Sequence, residues 1–125
     1  GAALIVDDEP EVAEVLAQIL RADGYRCDLA ATGRQAKRLI AAPDAPDYAV
    51  ILCDLRMPDM GGAALHAWLE GARPGLCGRI AFVTGDTLGR GAAAFLARSG
   101  RPVLEKPFVP QEVRRLVAAL APRSG

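Results

Sequence analysis

The 125-residue sequence predicts one α/β domain: a doubly wound, five-stranded parallel sheet with five helices. Three observations carry that prediction. Short apolar runs alternate with amphipathic segments five times, the order that yields a parallel sheet with helices on both faces. The apolar runs are unbroken, as strands covered on both faces require. Four of them end on polar groups, at Asp7-Asp8-Glu9, Asp54, Thr84-Gly85 and Glu105-Lys106-Pro107. Open parallel sheets bind ligands beyond the carboxyl ends of their strands, so these groups predict one site.

The elements follow in order. Residues 2–6 form a short apolar strand. Val12, Val15, Leu16, Ile19 and Leu20 then make the stripe of an amphipathic helix over 10–22. Pro10 suits its first turn, and Asp23-Gly24 ends it. Residues 25–29 are a weak second strand, and Thr32 N-caps a helix running through Leu39, Ile40 and Ala41. Pro43 to Pro46 break the chain before the central strand at 48–53. Gly61-Gly62 precede a helix bearing Leu65, Trp68 and Leu69 that stops between Gly71 and Pro74. A strand at 79–83, a glycine-rich stretch from Gly85 to Gly91, and a helix ending near Ser99-Gly100 come next. A two-residue strand at 103–104 leads to the last helix, which starts at Pro110 and turns Val113, Leu116, Val117 and Leu120 to one side.

Composition limits the function. Lys plus Arg and Asp plus Glu stand at 15 each and no basic stripe appears, which speaks against nucleic-acid binding by this chain. The apolar runs are too short to span a bilayer. Cys27, Cys53 and Cys77 match no metal motif and are odd in number, so small buried hydrophobes in a reducing cytosol are expected. Alternation along the strand should turn Cys53 away from the face that Asp54 serves. The chain lacks an initiating Met and opens almost inside a strand, as expected of a piece cut from a longer protein.

Asp7, Asp8 and Asp54 offer hard oxygen ligands of the kind Mg²⁺ takes while keeping several waters. Crowded acids repel one another without a cation. Phosphoryl transfer needs positioning and charge stabilisation more than covalent help. Asp54 is the expected nucleophile, forming an acyl phosphate. Lys106 supplies a positive charge for phosphoryl oxygens and Thr84 a hydroxyl donor.

The set Val6-Asp7-Asp8-Glu9-Pro10, Asp54-Leu-Arg-Met-Pro-Asp-Met60, Val83-Thr84-Gly85 and Lys106-Pro107-Phe108 resembles the receiver domain of two-component response regulators, across essentially all of residues 1–125. The resemblance implies a flavodoxin-like sheet of strand order 2-1-3-4-5. It makes Asp54 the phosphoacceptor for a histidine kinase or histidine phosphotransfer domain. It implies Mg²⁺ held by Asp7 (partly through water), Asp8, Asp54 and the Arg56 backbone carbonyl, with Thr84 and Lys106 on the phosphoryl group. It further implies a cis Lys106–Pro107 peptide, a cytoplasmic setting, no membrane contact and a weak homodimer. Arg101 to Phe108 and Val83 to Asp86 look most like receivers attached to hybrid sensor histidine kinases, with a stand-alone regulator as the runner-up.

Two departures stand out. The family's switch aromatic usually lies three residues before the lysine, where this chain has Val103. Gly85, Gly89 and Gly91 weaken the start of the following helix, which suggests a segment ordered by phosphorylation or a partner. Arg56 and Asp86 are expected to pair over the site. His66 reads as an incidental surface residue, Trp68 as a packing or partner-surface residue, and Met57 and Met60 as loop packing.

Other functions fit less well. A haloacid dehalogenase-type phosphatase wants an acid two residues after its nucleophile, where Arg56 stands, and a cap domain. A docking pseudo-receiver has no need of the full acid set with Thr84 and Lys106. No G-x-G-x-x-G follows the first strand, which disfavours a dinucleotide site.

Overall fold

The computed structural model of the protein describes residues 1–57, 60–85 and 90–121, with the Arg90 side chain left aside. Strands β1 (Ala2–Val6), β2 (Arg26–Ala30), β3 (Tyr48–Asp54), β4 (Ile80–Thr84) and β5 (Val103–Glu105) alternate with helices α1 (Pro10–Ala22), α2 (Gly33–Ala41), α3 (Gly62–Ala72), α4 (Arg90–Ser99) and α5 (Pro110–Leu120). All strand pairs are parallel, in the order β2-β1-β3-β4-β5, the expected flavodoxin-like sheet. A 3₁₀ segment over Pro74–Arg79 adds to the elements the sequence predicts; it starts on Pro74, which suits a first helical turn, and sinks Leu76 into the core.

Local chemistry explains the boundaries. Pro10 opens α1, and Gly24 at φ +94° turns the chain out of it, a conformation that suits glycine. Thr32 Oγ1 accepts from the Gln35 amide at 3.1 Å, capping α2. The Lys106–Pro107 peptide is cis, as expected.

Two apolar layers cover the sheet. One gathers Leu4, Val6, Ile51, Cys53 and Phe82 under α2 and α3. The other gathers Ile5, Leu52 and Val83 under α1 and α5. Cys53 and Leu52 thus face opposite layers, and the expected alternation holds.

Several expectations need correction. The buried stripe of α1 runs through Ala13, Leu16, Ala17, Ile19 and Leu20, so Leu16, Ile19 and Leu20 stand as expected, but Val15 is 48% exposed. Ala13 and Ala17 take part of the buried face, and Val15 falls outside it. Only Cys53 of the three cysteines is fully buried; Cys27 and Cys77 are half-buried. His66 is buried, at 8% exposure, because α3 turns it onto the rings of Phe82 and Phe95. Trp68 packs against the core edge beneath the Lys37 ammonium, 5.3 Å from its ring centroid. Met57 and Met60 pack on the core as expected. Asp86 and Gly89 lie outside the described residues, and with them the Arg56–Asp86 pairing and most of the glycine-rich segment.

Two glycines permit close approaches. A Cβ at Gly33 would collide with the Met60 carbonyl oxygen, and Met60 itself is left-handed at φ +52°. A Cβ at Gly62 would lie 2.9 Å from the Phe82 ring and 3.2 Å from the Asp54 carbonyl oxygen. Both contacts press the loop after β3 against its neighbours. We predict that Gly62→Ala lowers stability in urea melts by about 1–3 kcal/mol through overpacking. Gly71→Ala, whose Cβ would meet open space within α3, should instead raise it by about 0.5–1 kcal/mol. Equal effects of the two substitutions would contradict the packing argument.

Candidate functional site

Strand register assembles the site. Val6 pairs with Cys53, so Asp7 and Asp54 follow side by side at the ends of β1 and β3. Asp54 pairs with Val83, which puts Thr84 one step beyond it on β4. Thr84 pairs with Glu105, so Lys106 leaves β5 just past Thr84, its amide donating to the Thr84 carbonyl at 2.9 Å.

Asp7, Asp54 and Thr84 are buried, at 3%, 5% and 2% exposure, whereas Asp8 and Arg56 are exposed. One Asp7 oxygen, Oδ1, accepts from the Glu9 amide at 2.8 Å. The Arg56 amide donates to Asp54 Oδ1 at 3.2 Å. The other oxygens of both acids turn toward Lys106, whose Nζ lies 3.6 Å from Asp7 Oδ2 and 3.7 Å from Asp54 Oδ2. Asp7 Oδ2 is buried without a hydrogen bond. Buried oxygens of this kind normally find a partner, and a cation satisfies such an atom well.

The structure brings together Asp7, Asp8, Asp54, Thr84 and Lys106 as the sequence predicted, and it adds Glu9. Lys106 Nζ lies 3.5 Å from Glu9 Oε1. Asp7, Asp8, Glu9 and Asp54 each offer a carboxylate oxygen within 4.8 Å of the others. The signal for Glu9 was its place directly after Asp7-Asp8, but a turn decides whether a third consecutive acid points inward. Three of these carboxylates, those of Asp7, Glu9 and Asp54, lie within 4 Å of the Lys106 ammonium, and Asp8 stands beside them. Such all-oxygen donors fit a hard divalent cation.

Burial, reinforced by the Asp7 charge, pushes the Asp54 carboxyl up to about 6, against the opposing pull of Lys106. Burial also raises Asp7, opposed by the Glu9 amide and Lys106. At Lys106 burial disfavours the ammonium, but the fields of Asp54, Asp7 and Glu9 outweigh it and raise the lysine. The arrangement can therefore hold a cation, keep a lysine charged and present a nearly dry carboxylate at a strand end.

The profile of the response regulator receiver domain matches residues 3–118. The chain belongs to this family. Among curated relatives, TcrX of Mycobacterium tuberculosis, a probable transcriptional regulatory protein, is 33% identical over 122 residues, 98% of this chain. This chain spans about half, 50%, of TcrX's length. A putative response regulator from Chloroflexus aurantiacus superposes with a TM-score of 0.81 at 29% identity, covering 95% of each chain. The receiver domain of the sensor histidine kinase PA1611 from Pseudomonas aeruginosa, solved with a magnesium ion in its active-site cleft, gives 0.80 at 29% identity, also covering 95% of each. Receiver domains of this family work with histidine kinases or phosphotransfer partners. Among the described residues of this receiver, no helix is long and apolar enough to cross a membrane.

The pH dependence of receiver stability follows from Asp54. Its folded carboxyl holds a proton up to about 6, against an ordinary value of 3.8, so the native state binds that proton more tightly. Metal-free stability should therefore fall as pH rises from about 4 to about 6 and level off above. Asp7 shifts in the same direction. Lys106 is raised from 10.5 and titrates outside this window. We predict that Asp54→Asn, in a chelator at pH 7.5, is more stable than wild type by on the order of 1–3 kcal/mol. At pH 3.5 the difference should vanish. Urea melts at the two pH values check this, and a pH-independent difference would refute it.

Proposed function

We propose that this receiver takes a phosphoryl group from a phosphohistidine onto Asp54, with Mg²⁺ as cofactor. The observation that supports the reading best is the convergence of Asp7 and Asp54 on Lys106 at 3.6 and 3.7 Å, at the ends of strands from three parts of the chain. An Asp54 carboxylate oxygen attacks phosphorus as the nitrogen–phosphorus bond of the donor breaks, and the imidazole leaves with that electron pair. The product is an aspartyl acyl phosphate.

Asp7, Asp8, Asp54 and the Arg56 carbonyl are the proposed ligands of Mg²⁺, which when bound neutralises acidic charge and phosphoryl oxygens. Lys106 then shifts from the carboxylates to a phosphoryl oxygen, a short movement for a side chain already poised between them. The Thr84 hydroxyl donates to another. Glu9 helps keep Lys106 over the site before the donor arrives. Burial keeps the Asp54 nucleophile poorly solvated, so fixed groups of the protein meet the incoming charge in place of water.

The setting we favour is a receiver attached to a hybrid sensor histidine kinase, supported by the Arg101–Phe108 and Val83–Asp86 stretches and by the likeness to the PA1611 domain. The likeness to TcrX favours a second setting, a regulator that acts on transcription. Flanking coding sequence separates them: a kinase region supports the first, and a DNA-binding region after residue 125 overturns it.

Incubation with acetyl phosphate and Mg²⁺, followed by intact mass, tests the chemistry. Wild type should gain one phosphoryl group, and Asp54→Asn or added chelator should abolish the adduct. Lys106→Ala should slow phosphorylation by about 10²-fold, the usual loss when one stabilising donor is removed. Unchanged labelling of Asp54→Asn would overturn the assignment.

A further inference from the structure

A groove of about 390 Å³ runs between α3 and α4, apart from the acidic site. That size lies at the lower end of small-molecule sites. Small side chains keep its walls apart. Ala63 and Ala67, one turn apart on α3, line one side, and larger residues there would fill it. A smaller depression of about 270 Å³ adjoins it, with Ala63 and Phe95 lining both.

The facing side is the half-buried Phe95 ring of α4. It stands edge-on to Phe82 of β4, centroids 5.1 Å apart at 72°, and to His66 of α3 at 5.8 Å and 79°. His66 and Phe82 are themselves buried, so the aromatic side of the groove is held in place. Two aromatic edges beside two alanines make a slot suited to one more ring.

Opposite charges border this apolar slot. Glu70 stands on α3 one turn beyond His66, and Arg98 on α4 one turn beyond Phe95; both line the groove. No ion pair joins them. Glu70 Oε1 lies 3.2 Å from His66 Nδ1, and its side chain is 64% exposed, free to meet a ligand as well. Among the described residues no hydrogen bond or ion pair engages the Arg98 guanidinium. A simple carboxylate here would meet Glu70 as well as Arg98, and a simple amine would meet Arg98 as well as Glu70. A molecule carrying both charges complements both walls. A peptide end presents only one of the two.

We propose that the α3–α4 groove binds a free amino acid with an aromatic side chain. Its carboxylate meets Arg98, its ammonium meets Glu70, and its ring lies between Ala67 and Phe95. The site uses none of the acidic cluster and stands whether or not Asp54 takes a phosphoryl group.

Two-dimensional NMR of the complete chain, titrated with L-phenylalanine, tests this. Amide shifts should centre on 63–70 and 95–99 and saturate with a Kd on the order of 1 mM or tighter, as ordinary ligand efficiency gives for a molecule of this size. Phenylacetate and phenethylamine, each lacking one charge, should bind about three- to fivefold more weakly, the worth of an exposed ion pair. L-Alanine, without the ring, should give no saturable shift. Arg98→Gln and Glu70→Gln should each remove the advantage of the zwitterion, and Glu70→Gln keeps an oxygen for His66. Ala67→Leu should abolish binding by filling the groove, at an unchanged Tm. No saturable shift with L-phenylalanine overturns the assignment. So does equal binding of phenylacetate or phenethylamine, or full binding by Arg98→Gln or Ala67→Leu.

Discussion

Two carboxylates end adjacent parallel strands and lie almost out of contact with solvent. The β1–β3 register leaves Asp7 and Asp54 no other place, because Val6 and Cys53 are locked as partners inside the sheet. Their mutual repulsion and their desolvation both favour the neutral acid, which is why Asp54 rises to about 6. The rest of the site answers that constraint. Lys106 leans between the two oxygens, amides of the following loops bind the opposite oxygens, and Asp8 and Glu9 extend the acidic surface outward.

Asp7, Asp8, Glu9 and Asp54 together present oxygen donors of the kind a hard divalent cation takes. Held apart by the sheet, the acids cannot relax by separating. The same rigidity that makes the crowded acids unfavourable at neutral pH holds them in place for a cation.

The back of the site is as constrained as the front. Gly33 and Gly62 allow backbone contacts that a methyl group would block, and they bring the α2 and α3 termini against the loop after β3. Phe82 fills the space behind Gly62 and carries the contact on to α3 and α4 through His66 and Phe95. The layer behind Asp54 is aromatic on β4, whereas β5 contributes only Val103 beside it. Helix α4 rests on this layer without sinking any described residue fully into it.

Much of this was legible in the sequence. Apolar runs and amphipathic stripes depend on local periodicity, so the order of elements, the parallel sheet and the starts of α1, α2 and α5 could be read directly. Asp7, Asp54, Thr84 and Lys106 were legible because each stands at a strand end, where topology leaves one direction to point. What stayed hidden depends on the angle at which elements meet. Helix α1 buries Ala13 and Ala17 beside Leu16, Ile19 and Leu20 and exposes Val15, because the angle at which it meets the sheet sets the buried face. His66 looked like a surface residue, since a lone polar side chain on a helix does not reveal the rings that α4 and β4 set over it. Glu9 enters the site through a turn that no periodicity specifies. By itself the sequence determined which groups would end the strands, and hence the chemistry available. Only the tertiary structure decided their distances, the rise of Asp54 to about 6, and the aromatic seat of α4, because burial and long-range packing exist only once the layers close.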